Sequence, residues 1–402
     1  MKVGNHHLAY CTNIHPGETW PEVFANLKKY SPTLKAKLSP DRPFGIGLRL
    51  ADVASRSLQN PESLSAFQTW LMSEDLYVFT LNGFPYGSFH HEVIKDRVYA
   101  PDWTQNDRLT YTQRLIQILT QLLPSGMEGS ISTLPLSYKP WFSNTSAIHH
   151  IYGESIKNLT IVVADLIQIY QTTGKLIHLG LEPEPDGLLE NTSEVIDFFE
   201  QWLLPLGRDL LADRLGISIQ RAEIAIRQHI RICYDTCHFA VEFEKPADAL
   251  HQLNAAGIGL SKVQLSSAIR VMIPKHRKDR RSVYDRLQPF AESTYLHQVI
   301  AQNADGSLQR YRDLSQALDK FEMSTAMEWR THFHVPIFLK DYPLLHSTQD
   351  HIVETLDYLQ LQSISTHLEI ETYTWDVLPP LIKLDLGRSI EREYEWVMGV
   401  LN

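Results

Sequence analysis

Runs of apolar, often β-branched residues alternate with segments of helical apolar spacing along nearly the whole chain. Parallel strands covered on both faces read as such runs, and each needs a crossover, usually a helix, to reach the next. The runs fall at 7–13 (HLAYCTN), 44–50 (FGIGLRL), 76–82 (LYVFTLN), 129–135 (GSISTLP), 175–182 (KLIHLGLE), 230–235 (IRICYD), 261–267 (SKVQLSS) and 366–373 (THLEIETY). Helical patterns lie between them. Thr19 caps the first, with Pro21 in its opening turn, and Asn60-Pro61 starts the second. Others cover 107–122, 145–172, 193–204, 218–229 and 246–255, a further one is capped by Ser347/Thr348, and the last covers 387–400. Eight strand–helix units predict a closed (β/α)8 TIM barrel in one domain over 1–402. An open doubly wound sheet is the alternative. It usually carries a glycine-rich first turn, and no GxGxxG is present.

The alternation breaks once. Residues 268–335 read as an insertion between strands seven and eight. It holds a hairpin, 294–300 with 308–312, around the turn dipeptide Asp305-Gly306, and a strand-like 327–335. Its opening is basic: Arg270, Lys275, Arg277, Lys278, Arg280, Arg281 and Arg286 against Asp279 and Asp285. That run is either a solvated loop or an anion-binding lid over the barrel mouth.

Composition narrows the partners. Lys and Arg total 37 against 47 Asp and Glu, a net charge of −10, which argues against nucleic acid as a partner because phosphate backbones are held by dense basic contacts. No apolar run is long enough to insert in a membrane, and the start has no signal-peptide pattern. Three cysteines (Cys11, Cys233, Cys237) cannot all pair, so a reducing, cytoplasmic setting is expected. Cys233 and Cys237 read as small core residues. The expected partner is a small-molecule metabolite; nothing in the sequence fixes an oligomeric state.

Chemistry in such a barrel sits at the C-terminal strand ends. Strand one offers Asn13 and His15 there. Strand three offers Asn82, with His90 and His91 in the loop. Strand five offers Glu182 and Glu184, strand six Asp235 and His238, strand seven Gln264 and Ser266, and strand eight Glu369 and Glu371. In the insertion, His332 and His334 fall on one side of an extended segment. Carboxylates converging on one mouth repel one another unless a cation lies between them. Oxygen donors with one or two imidazoles suit Mn²⁺, Mg²⁺, Co²⁺ or Zn²⁺.

At these residues the chain resembles the xylose isomerase-like barrel superfamily of sugar isomerases, epimerases and endonuclease IV-type enzymes. In the epimerase branch, strand five ends in a metal-binding Glu followed by Pro, as in Glu182-Pro183. Strand six carries Asp-x-x-His, matching Asp235 as a ligand and His238 as a substrate contact. Strand eight carries a Glu, matching Glu371, or Glu369 in a register shifted by two. Strand seven of that branch carries a ligand His where this chain has Gln264, which could coordinate only through its carbonyl. The endonuclease IV branch has a similar pair after strand seven, and the imidazoles of His332 and His334 could supply the missing ligand or hold a second metal. The resemblance thus implies Glu182, Asp235, Gln264, Glu371 and His334 as metal ligands. Glu182 and Glu371 would double as proton-transfer bases. His238, His15, Asn82, His332, Glu184 and Glu369 would contact substrate. The stretches CTNIHPGE, EWRTHFHVP and LEIETYTWDVLP also resemble metabolite traffic proteins of the EboE type.

Three functions stay open: a metal-dependent isomerase or epimerase, a metabolite-binding protein that reuses the mouth, and an endonuclease IV-like phosphodiesterase. Fold alone cannot separate them.

Overall fold

The computed structural model describes residues 1–89, 93–378, 383 and 385–401. Eight parallel strands form the centre: β1 (His6–Tyr10), β2 (Phe44–Arg49), β3 (Leu76–Asn82), β4 (Gly129–Thr133), β5 (Ile177–Leu181), β6 (Ile230–Asp235), β7 (Leu260–Leu265) and β8 (His367–Ile370). Their order is β1-β8-β7-β6-β5-β4-β3-β2, and a parallel bridge between Cys11 and Gly47 joins β1 to β2. The sheet is therefore a closed (β/α)8 barrel.

That closure depends on Gly47. A Cβ there would lie 2.8 Å from the Tyr10 carbonyl oxygen and run into the Glu369 carboxylate. The helices form the outer ring. Glu22 Oε2 accepts from the Thr19 amide at 2.9 Å, and Asn60 Oδ1 accepts from the amides of Glu62 and Ser63, so both helix starts are capped where the sequence places them. Among the described residues no helix is long and apolar enough to cross a membrane.

The insertion is more ordered than its sequence suggests. Strands Ser267–Met272, Val299–Gln302, Leu308–Tyr311, Glu328–Val335, Asp341–Tyr342 and Leu345–Ser347 form a second, antiparallel six-stranded sheet. It thus extends to Ser347, beyond the expected end at 335. Trp329, Val271 and Val299 bury its inner face against the main core.

Most of the basic run is regular structure, and it does not line the barrel mouth. Arg270 lies on the first of these strands and makes a two-pronged ion pair with Asp350. Residues Arg277–Leu287 form a helix. Arg280 donates to the carbonyls of Pro274 and Glu322, and Arg281 pairs with Asp285. None of the seven basic side chains lines the cavity at the barrel mouth.

Candidate metal centre and its cavity

The barrel interior is polar along its axis. TIM barrels are usually filled by branched apolar side chains. Here Lys262 of β7 and Glu369 of β8 form an ion pair with both side chains fully buried. The register that sets Glu369 beside Gln264 points both inward. The thiol of Cys233, on β6, donates to Gln264 Oε1 at 2.9 Å. Cys11, Cys233 and Cys237 are all free and buried.

Above this layer the strand ends bring acids together. β6 runs straight into the short helix Thr236–Val241. Asp235 is its N-cap, with Oδ1 accepting from the amides of Cys237 at 2.8 Å and His238 at 3.2 Å. The Asp-x-x-His spacing follows: the aspartate that caps the first turn has the imidazole at the third helical position. The Ser266 hydroxyl donates to the same Oδ1 at 2.5 Å. Glu182 follows β5 and Glu371 follows β8. One carboxylate oxygen from each of Glu182, Asp235 and Glu371 lies within 4.8 Å of the others. Glu371 Oε1 accepts from Asn13 Nδ2 at 2.8 Å and Asn82 Nδ2 at 2.7 Å.

The insertion supplies the imidazoles. His332 and His334 point to one side of strand Glu328–Val335, while Phe333 packs the other way on His297 and Phe290. His334 Nδ1–H donates to the Glu371 carbonyl oxygen at 2.8 Å, leaving Nε2 as the lone-pair nitrogen. Asp235, His238 and His334 form a second set within 4.8 Å.

His238 Nδ1–H donates to the Pro183 carbonyl at 3.1 Å. His332 Nδ1–H donates to Gln298 Oε1 at 2.8 Å, an orientation fixed because Gln298 Nε2 donates to the Pro185 carbonyl at 3.0 Å. Both rings then turn an Nε2 lone pair to the other across 3.2 Å. Two lone pairs so placed need a shared proton or a cation between them. Glu184 comes within 4.8 Å of both rings.

Electrostatics follow from the packing. Burial, and then the charge of Asp235, pushes the Glu182 carboxyl well above the usual range. Burial, then Glu182 and Asp235, does the same to Glu371. Burial also opposes ionisation of Asp235, but His238, His334 and the Ser266 hydroxyl outweigh it and hold its pKa low. Burial lowers His238 to about 4 and lowers His334, so both rings are neutral and can act as donors at pH 7.

Glu182 Oε2, Asp235 Oδ2 and His334 Nε2 are all buried without a hydrogen-bond partner. Native proteins rarely leave such atoms unpaired. Three carboxylates, a neutral imidazole and unpaired acceptors are the donor chemistry of a divalent ion. The residues fit one.

The sequence-derived candidates divide. Glu182, Glu184, Asn82, His238, His332, His334 and Glu371 line one cavity, and Asp235 joins their clusters. Three others lie elsewhere. Gln264 has its carbonyl taken by Cys233, so it does not face the ligand cluster as a free donor. Glu369 sits one layer lower, held by Lys262. His15 is hydrogen-bonded to Tyr10 and stacked on Tyr30 at 4.3 Å, behind the barrel wall. His90 and His91 lie outside the described residues. Asn13, Gln298 and Lys262 have parts that the ligand motif did not assign. For Lys262 the signal was available, since it is a lysine inside an apolar strand at alternating spacing with Gln264. Cys237, read as a core residue, also comes within 4.8 Å of His332 and His334.

No protein-family model matches the chain, and no curated protein matches it in sequence. Solved structures do match. A xylose isomerase-like TIM barrel protein from Mycobacterium smegmatis, in complex with magnesium, superposes with a TM-score of 0.52 at 11% identity, covering 100% of this chain and 98% of that one. A xylose isomerase domain protein from Planctomyces limnophilus gives 0.48 at 11% identity over 89% and 88% of the two chains. The zinc-bound IolI protein gives 0.47 at 12% identity over 98% of each. The similarity supports the fold and leaves the narrower metabolite-traffic resemblance unsupported. The chain has the xylose isomerase-like TIM-barrel fold.

Proposed function

We propose that the barrel mouth is a divalent-metal site of an isomerase or epimerase acting on a small polyhydroxy or keto metabolite. One observation carries this reading: Glu182, Asp235 and Glu371 converge within 4.8 Å in a buried pocket that also holds neutral His334. Glu182, Asp235, Glu371 and His334 would hold the ion. When bound, it would polarise two adjacent substrate oxygens and acidify the C–H between them. The M. smegmatis barrel was solved with magnesium, an ion that suits an oxygen-rich donor set.

The chain's own groups do the rest. Glu182 and Glu371 come from strands on different sides of the mouth and serve as the two proton-transfer groups. Asn13 and Asn82 fix the orientation of Glu371. His238 and His332 are held in one tautomer each, with Nε2 atoms 3.2 Å apart, and would share a proton or a cation beside the bound substrate. Asp235, tied by two amides and a hydroxyl, is a ligand and not a base.

A second reading is non-catalytic metabolite binding, which fits an EboE-type traffic setting read from sequence alone. Its support is that Glu371 Oε1 already accepts two amide hydrogen bonds, which weakens it as a base. A phosphodiesterase role is disfavoured by the cavity: among the described residues its one Lys or Arg is Lys95, paired with Asp313 at 2.6 Å.

Elemental analysis tests the metal reading. The wild-type protein should retain or take up Mn²⁺ or Zn²⁺, and the Glu182→Gln/Asp235→Asn double variant should not. A metal-free wild type that refuses both ions would sink the isomerase mechanism. Metal retained by the double variant would show that other residues are the ligands.

A further inference from the structure

The cavity has two unlike halves. Its floor is the acid and imidazole cluster. Its outer wall is apolar and comes from three separate segments: Phe84, Phe89 and Ile94 from the loop after β3, Tyr295 from the insertion, and Tyr373 after β8. Phe89, Tyr295 and Tyr373 form a contiguous triangle, with ring centroids 5.0, 5.2 and 5.3 Å apart. Tyr373 also packs on His334 at 4.5 Å, so the wall begins where the candidate ligands end. The Tyr295 hydroxyl donates to the Phe89 carbonyl at 3.0 Å, which turns that polar tip toward backbone.

Charge in the cavity is equally one-sided. Lys95 is bound to Asp313 and also reaches the Glu292 carbonyl. A phosphate group in this cavity would therefore meet several carboxylates and no uncommitted cation among the described residues. The cavity volume is about 60 Å³, which admits only a small, thin ligand. A free hexose or cyclitol carries hydroxyls around its whole ring. Seated on the floor, it would press some of them against phenyl faces, where a buried polar group without a partner is costly.

We infer that the cavity takes an uncharged ligand in two parts: a head with adjacent hydroxyl and carbonyl or diol oxygens, and a flat apolar body lying against Phe84, Phe89 and Tyr295. The head rests on the metal reading above, whereas the body does not. Aromatic faces favour such a body through area and ring geometry.

Three probes share one head and differ only in the body: 2-hydroxyacetophenone (phenyl), hydroxyacetone (methyl) and dihydroxyacetone phosphate (charged). Calorimetric binding is measured on the full chain, both loaded with Mn²⁺ and stripped of it. The phenyl compound should bind at least about tenfold more tightly than the methyl one, and the phosphate should bind least. The preference should persist without Mn²⁺ at lower absolute affinity. It should fall to near unity in Phe84→Ala/Phe89→Ala, with Mn²⁺ content unchanged. Phe89→Leu keeps most of the apolar bulk while losing the flat face, and should reduce the preference if the double variant fails to fold. Equal binding of phenyl and methyl probes, tight binding of the phosphate, a preference that survives both variants, or no binding of the phenyl probe would each overturn the inference. Failure to bind Mn²⁺ with the phenyl preference intact would instead remove only the metal reading.

Discussion

The thiol of Cys233 donates to Gln264 Oε1 across 2.9 Å inside the barrel, and this contact decides which residue completes the acid cluster. With its carbonyl engaged, Gln264 is withheld from the acid cluster, and His334 brings the unpaired nitrogen. Gln264→Ala should therefore change Mn²⁺ or Zn²⁺ affinity by no more than about tenfold, at the low end of what contacts outside the ligand set contribute. His334→Ala should exceed the ~10–100-fold range of such contacts. Titration monitored by calorimetry checks both, and a larger loss for Gln264→Ala would restore that residue as a ligand.

Crowded carboxylates are an asset with a cation and a liability without one. In metal-stripped protein, Glu371→Gln should leave the melting temperature unchanged or raise it, because burial and the neighbouring acids disfavour ionisation of the Glu371 carboxyl and an amide carries no such cost. Saturating ion at about one hundred times its Kd should stabilise the wild type by about 2.7 kcal/mol, and the Glu371→Gln protein by clearly less. Thermal melts with and without Mn²⁺ test this. A variant that melts lower when stripped would mean that Glu371 is held by its two asparagines and not by an ion.

Gly47→Ala should be among the most damaging single changes in the chain. The added Cβ meets the Glu369 carboxylate and the Tyr10 carbonyl, so it disturbs both the closing seam and the buried ion pair. Overpacking and a broken buried pair together imply a loss on the order of 3 kcal/mol or more. Urea unfolding of the variant measures it, and a loss below about 1 kcal/mol would mean that the seam can open to admit a methyl group.

Glu393 gives a pH dependence of known sign. Its carboxyl is raised to about 8 by burial, against opposing hydrogen bonds from Thr372 and the Ile337 amide. Between the ordinary value of 4.5 and about 8, the folded state keeps a proton that the unfolded state has released. Stability should therefore fall as pH rises through that window, by up to about 1.4 kcal/mol per pH unit from this group. Glu393→Gln should flatten that slope in urea melts taken from pH 5 to 8. An unchanged slope would place the titration on another group.

The barrel was legible because parallel strands covered on both faces must be written as apolar runs, and those runs are separated by capped helices. Asp235, Glu182 and Glu371 were legible because each interrupts such a run at its end. The insertion was less so. In Ser267–Met272, an inner strand of the second sheet, Arg270 and the exposed Met272 interrupt an otherwise buried run, and the following helix Arg277–Leu287 is so basic that its short apolar stripe, Val283 and Leu287, is lost in the charge. Glu369 has the right side-chain chemistry at the wrong depth, two residues before Glu371 and held by Lys262, whereas Gln264 stands opposite Asp235 in register with its carbonyl taken by Cys233. Sequence alternation tells which way a strand residue points, but depth along the barrel axis is set by register with neighbouring strands. His15 was misplaced for a related reason, since the turn after β1 directs it back onto Tyr10 and Tyr30.

His334 reaches the acid cluster from the second sheet, while Glu182, Asp235 and Glu371 belong to the barrel. An ion gripped by all four would rivet two separately hydrogen-bonded sheets to each other. Occupancy of the centre would then set how firmly the insertion stays docked, and amide exchange in strand Glu328–Val335 would slow in step with metal concentration although no metal touches most of its backbone.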